Sequence, residues 1–97
     1  MTDPSQYYAV LEELRTRGAT IRCNELANML TSLGFDVRDG KKAGHKVFTH
    51  PGIGSFTTGA YTCGHGRNPE IKPAYIKKVA RLLNQYKKEL IEHLGET

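Results

Sequence analysis

Phe35-Asp36-Val37-Arg38-Asp39-Gly40-Lys41-Lys42-Ala43-Gly44-His45-Lys46-Val47-Phe48-Thr49-His50-Pro51 reads as two short strands joined by a tight loop. From 35 to 39, apolar Phe35 and Val37 alternate with Asp36 and Arg38, the period of a half-buried strand. Gly40-Lys41-Lys42-Ala43-Gly44 has the composition of a turn, and 45–50 alternates again. Lys46, Phe48 and His50 point one way, and His45, Val47 and Thr49 the other. Phe48 is the natural core anchor, which leaves His45 on the opposite face. Pro51-Gly52-Ile53-Gly54-Ser55 follows as a hairpin loop and 56–62 as a third strand, so antiparallel pairing is the simplest topology.

Working outward, 4–17 reads as a helix with Asp3 as its cap, Pro4 at the first helical position, and Tyr7, Val10, Leu11 and Leu14 on one face. Gly18 ends it. A second helix spans 24–33, where Leu26, Ala27, Leu30 and Leu33 recur at helical spacing and Gly34 supplies a left-handed cap. After Cys63-Gly64-His65-Gly66-Arg67-Asn68-Pro69, Pro73 opens one long helix. Its buried stripe is Ile76, Val79, Ala80, Leu83, Tyr86, Leu90, Ile91 and Leu94, and Lys77, Lys78, Arg81, Lys87 and Lys88 lie opposite. The order predicts a small α+β domain, α-β-β-β-α with an added N-terminal helix. Its three-stranded antiparallel sheet is covered by helices on one face and free on the other. At 97 residues the chain allows one domain, so any activity rests on few residues.

Charge is distributed unevenly. Residues 1–37 carry three basic and five acidic groups, a net of −2, and residues 89–97 carry −3. Residues 38–88 hold eleven basic groups against Asp39 and Glu70, a net of +9, which brings the whole chain to +4. A positive field confined to one region is the pattern expected when a polyanion is the partner, although a solvated lysine-rich helix gives the same composition.

The N-terminus, Met1-Thr2-Asp3-Pro4-Ser5-Gln6, lacks the basic start and apolar run of a signal peptide, so a cytoplasmic location is expected and Cys23 and Cys63 read as reduced thiols. No apolar run approaches the ~18 residues of a membrane span. His45, His50, Cys63 and His65 are possible zinc ligands. Only Cys63-x-His65 is a close pair, however, and alternation separates His45 from His50, so no metal is expected. Gly64-His65-Gly66 lacks the Gly-Lys-Ser/Thr ending of a phosphate loop, so no nucleotide cofactor is implied.

The stretch from Asn24 to about Tyr86 resembles HicA-type toxins, small messenger-RNA interferases with a double-stranded-RNA-binding-domain-like (dsRBD-like) fold. Three pieces carry the likeness. The first is Glu25-Leu26 running through Leu30 to Gly34-Phe35, similar to that family's opening helix and its Gly-aromatic exit. The second is 42–51, with His45, Phe48, His50 and Pro51 in the register of the family's Lys-Gly-Ser-His strand, aromatic and His-Pro. The third is His65 followed by the lysine-rich helix 72–83. Ala43 and Gly44 stand where the family usually has Gly and Ser, so the serine that would orient the histidine is absent. The resemblance divides the single domain into an N-terminal helical extension, 1–21, and an interferase-like core, 22–94. It implies RNA as substrate, messenger RNA in particular, and a HicB-type antitoxin as protein partner.

The chemistry can also be argued from the residues. RNA cleavage needs no metal when a base removes the 2′-hydroxyl proton, because that oxygen already sits in line with the scissile phosphate. His45 is the candidate general base and His65 the possible acid for the leaving 5′-oxygen. Lys41, Lys42, Lys46, Arg67, Lys72, Lys77 and Lys78 are the candidate RNA-binding cations. His50 suits a hydrogen-bonding role at the hairpin end, and His93 receives no role. Tyr61 and Phe56 could stack on bases, with core packing of at least one as the alternative. The reading is therefore a metal-independent endoribonuclease toxin. A non-catalytic RNA-binding or regulatory domain of the same fold is the alternative, and a purely structural partner for an acidic protein comes third.

Overall fold

The computed structural model describes residues 4–18, 20–64 and 66–95. Its elements are α1 (Ser5–Thr16), α2 (Cys23–Ser32), β1 (Asp36–Asp39), β2 (His45–Thr49), β3 (Gly59–Thr62), α3 (Pro73–Gln85) and α4 (Lys87–Gly95). The strands form one antiparallel sheet in the order β1-β2-β3. This is the α+β class expected from the hydrophobic pattern, with four helices instead of three.

Opposite residues of antiparallel strands share a face, so the register sorts the side chains. Phe48 faces Val37 and Gly59, and Lys46 faces Asp39 and Tyr61. That face lies under the helices, with Phe48 and Tyr61 buried in one cluster with Leu26, Leu30, Val79 and Leu83. His45, Val47 and Thr49, opposite Thr62, Ala60 and Asp36, occupy the other face.

The end of α2 follows directly from its sequence. Gly34 has φ +95°, its N–H bonds the carbonyl of Thr31 at 3.0 Å, and the N–H of Phe35 bonds that of Leu30 at 3.1 Å. This is a Schellman cap, in which glycine supplies the left-handed residue and Phe35 folds back onto the core. α1 joins the same core: Tyr7, Val10 and Leu14 are buried, and the Tyr7 hydroxyl donates to the Leu83 carbonyl at 3.1 Å. The expected Asp3 cap lies outside the described residues.

Three expectations need correction. The third strand begins at Gly59 rather than at 56, because two successive turns intervene. The N–H of Ile53 bonds the carbonyl of His50, and the N–H of Phe56 bonds that of Ile53. They bury Ile53 and Phe56 from a loop. The long C-terminal helix is two helices, broken at Tyr86 (φ −103°, ψ 20°). There the Tyr86 ring meets Phe56 edge-on at 5.1 Å, and its hydroxyl donates to the Ser55 carbonyl, so α4 turns to bury Leu90 and Leu94. Finally, Cys23 and Cys63 are not reduced thiols but a disulfide, their Cα atoms 5.7 Å apart. It ties the first residue of α2 to the residue after β3. Among the described residues no helix is long and apolar enough to cross a membrane.

Candidate nucleic-acid interface

Five acidic side chains are engaged in ion pairs: Glu12 with Arg15, Glu13 and Glu25 with Arg17, Asp36 with Arg38, and Asp39 with Lys46. Arg17 grips Glu25 through Nη1 and Nη2, and the N–H of Arg22 adds a third bond. These bonds hold the Glu25 carboxyl below its ordinary pKa. Of the cations of the central region, Arg38 and Lys46 are neutralised in this way, and most of the others are not. Lys41, Lys42, Arg67, Lys72, Lys77, Lys78 and Arg81 are all exposed, and none of them makes an ion pair among the described residues.

Several of these cations gather at one end of the molecule. The β1–β2 loop carrying Lys41 and Lys42 meets the end of β3 where the N–H of Cys63 donates to the carbonyl of Gly44 at 2.7 Å. Thr62, Cys63 and Gly64 line a hollow with Lys72 and Tyr75 at the start of α3. The loop carrying Arg67 is pinned to α2: Asn68, at φ +47°, accepts the N–H of Asn24 on its side-chain oxygen at 2.8 Å and Arg22 Nη1 on its carbonyl, while the Pro69 carbonyl accepts the N–H of Cys23. Those bonds cap the N-terminus of α2. The helix amides are therefore occupied, and the positive surface is one of side chains.

The geometry separates residues that the sequence groups together. His45 is half-buried on the sheet face away from the helices, its ring lying over Gly40, where a Cβ would stand 2.3 Å from His45 Cδ2. Its N–H bonds the Lys42 carbonyl and its carbonyl accepts the N–H of Gly40, so its backbone is fixed beside the lysine loop. Lys46 leaves the strand on the opposite face, is 27 % exposed, and pairs with Asp39. It therefore does not join His45. Tyr61, beside it, is buried, and burial together with Asp39 pushes its hydroxyl up to about 12. Tyr61 and Phe56 are thus core residues and offer no stacking surface. His65 lies outside the described residues.

His50 is a structural residue. It is 4 % exposed, its Nε2 donates to the Leu33 carbonyl at 2.9 Å, and its Nδ1 accepts the N–H of Gly52. The carbonyl can only accept, so the ring is the neutral Nε2–H tautomer, and burial pulls its pKa down. His93 from α4 packs against it edge-on at 4.7 Å. Gly34 and Gly52 leave room for both rings, since a Cβ at either would come within 3.0 Å of an imidazole nitrogen.

Two further features complete the picture. Arg81, read from the sequence on the basic helix face but not among the candidate RNA-binding cations, is exposed one turn beyond Lys77 and Lys78. The capping role of Asn68 is hinted at only by the Asn-Pro pair. Among the described residues no group of three or more His, Cys, Asp or Glu side chains is placed to hold a metal ion. Comparison with protein-family models, with curated proteins and with solved structures returns no match for this chain.

Proposed function

We propose that this chain binds RNA through the basic end formed by the β1–β2 loop, the 66–69 segment and the exposed side of α3. One observation carries the reading: Lys41, Lys42, Arg67, Lys72, Lys77 and Lys78 are exposed and free of ion pairs among the described residues, while Glu25, Asp36 and Asp39 are engaged in ion pairs of their own. Phosphate binding by lysine and arginine is largely sequence-independent and releases counterions. Binding of a fluorescent single-stranded RNA by anisotropy tests the reading, with Lys42→Glu, Lys72→Glu and Lys77→Glu combined in one variant. Loss of binding by that folded variant supports it, and unchanged binding refutes it.

A second reading adds cleavage, and the placement of His45 favours it. The ring stands beside the loop of Lys41 and Lys42, the arrangement a general base needs next to a phosphate-holding cation. On this reading the chain is a metal-independent endoribonuclease acting on messenger RNA, as in the HicA-type toxins it resembles, with an acidic antitoxin of the HicB type as its partner in the cytoplasm. Lys42 takes the role that Lys46 cannot fill from the other face. Incubation of RNA in excess EDTA with wild type and His45→Ala separates the readings. Fragments from wild type alone assign cleavage to His45, and intact RNA in both leaves binding as the function.

A further inference from the structure

We propose that the outer edge of β3 and the flank of α3 beside it form a docking groove for an acidic, extended segment of a partner protein, which adds to the sheet as a fourth strand. This interaction does not depend on whether the chain binds RNA.

The two edges of the sheet differ. β1 reads Asp-Val-Arg-Asp, and its charges are tied into pairs, Asp36 with Arg38 and Asp39 with Lys46. Charged side chains along an edge discourage a further strand. β3 reads Gly-Ala-Tyr-Thr, carries no charge and no proline, and among the described residues has no strand on its outer side. An edge of that kind is receptive to strand addition, where main-chain hydrogen bonds give affinity and alternate side chains give specificity.

The surroundings of β3 define the occupant. A groove of about 430 Å³ runs between Thr58, Gly59 and Ala60 and the facing side of α3. Phe48, Val79 and Leu82 form its apolar floor, and Lys78 and Arg81, exposed and without ion pairs among the described residues, form its rim. Gly59 presents no side chain, and the Phe48 ring and Leu82 fill the place a Cβ would take, 2.3 and 2.9 Å away, so these apolar groups close against the strand backbone at this point. A strand placed along Gly59–Thr62 would send alternate side chains toward that floor and put carboxylates within reach of Lys78 and Arg81. A second copy fits poorly, because pairing two β3 edges would bring two sets of Lys78 and Arg81 together. RNA would use the rim but would gain nothing from a strand edge and an apolar floor.

The test uses the full chain, 15N-labelled, titrated with a blocked peptide alternating glutamate and valine, with an alternating lysine–valine peptide as control. The expected result is amide shifts centred on residues 58–62 and 78–82, absent with the lysine peptide. Affinity should fall about tenfold or more in the folded Lys78→Glu/Arg81→Glu variant. Three results would overturn the proposal: shifts elsewhere or none, equal binding of the lysine peptide, or displacement of the glutamate peptide by RNA with the same 58–62 shifts. The last would make the groove a nucleic-acid surface.

Discussion

Gly44 and Cys63 touch through their backbones at the open end of the β2–β3 pair: the N–H of Cys63 donates to the Gly44 carbonyl at 2.7 Å, and a Cβ on Gly44 would lie 2.6 Å from the Cys63 carbonyl oxygen. Gly44 also has φ +80°, with the N–H of His45 bonded back to the Lys42 carbonyl, as the third residue of a type II turn requires. Glycine is therefore demanded here twice, by conformation and by space. Serine at this position does not fit this backbone.

Gly44→Ser should accordingly destabilise the fold by about 2 kcal/mol, the scale of a residue held in a disfavoured backbone region. Urea denaturation checks this. A midpoint within error of wild type would mean that the loop relaxes freely and that the turn does not constrain His45.

Stability should depend on pH through His50. Its pKa in the fold is lowered from the ordinary 6.5, chiefly by burial, because a second proton on Nδ1 would face the Gly52 N–H and the neighbouring His93. The unfolded chain binds that proton more readily, so the contribution is complete above about pH 7 and is lost as pH falls from about 6.5 through the lower folded value. Denaturation midpoints should fall across this window in wild type and remain flatter in His50→Gln. An equal slope in both would assign the effect to other groups.

The disulfide spans 40 residues of sequence. Closing a loop of that length restricts the unfolded chain by about 4 kcal/mol in the chain-entropy model. Reduction, or the double change Cys23→Ser/Cys63→Ser, should therefore lower the thermal midpoint steeply, as measured by circular dichroism with and without dithiothreitol. Coincident melting curves would show that the crosslink does not stabilise the fold in solution.

Local signals were the legible part of this molecule. Alternation at Val37 and Phe48, the Gly34-Phe35 exit from α2 and Pro73 at the start of α3 each rest on backbone rules within a few residues, and each stands in the structure. What was missed depends on distant partners. Nothing near Tyr86 announces a break, because its cause is Phe56 and Ser55 across the core. Cys23 and Cys63 are brought together only when the start of α2 meets the end of β3 in the folded chain.

The candidate site divides in the same way. The exposed lysines could be read from charge and helical spacing, and the separation of Lys46 from His45 from strand alternation, whereas the pairing of Lys46 with Asp39 depends on the register of β1 and β2. Phe48 and His50 account for much of the spacing in the 42–51 segment, and both are core residues, so packing alone explains their register.

The most direct test of the RNA-binding account is the salt dependence of affinity for a single-stranded RNA, measured by anisotropy across a range of potassium chloride concentrations. If Lys41, Lys42, Arg67, Lys72, Lys77 and Lys78 each neutralise a phosphate, the slope of log K against log salt should be roughly −4, and it should become shallower by about 0.7 for each lysine changed to alanine. A slope near zero, or binding that ignores those substitutions, would contradict the account.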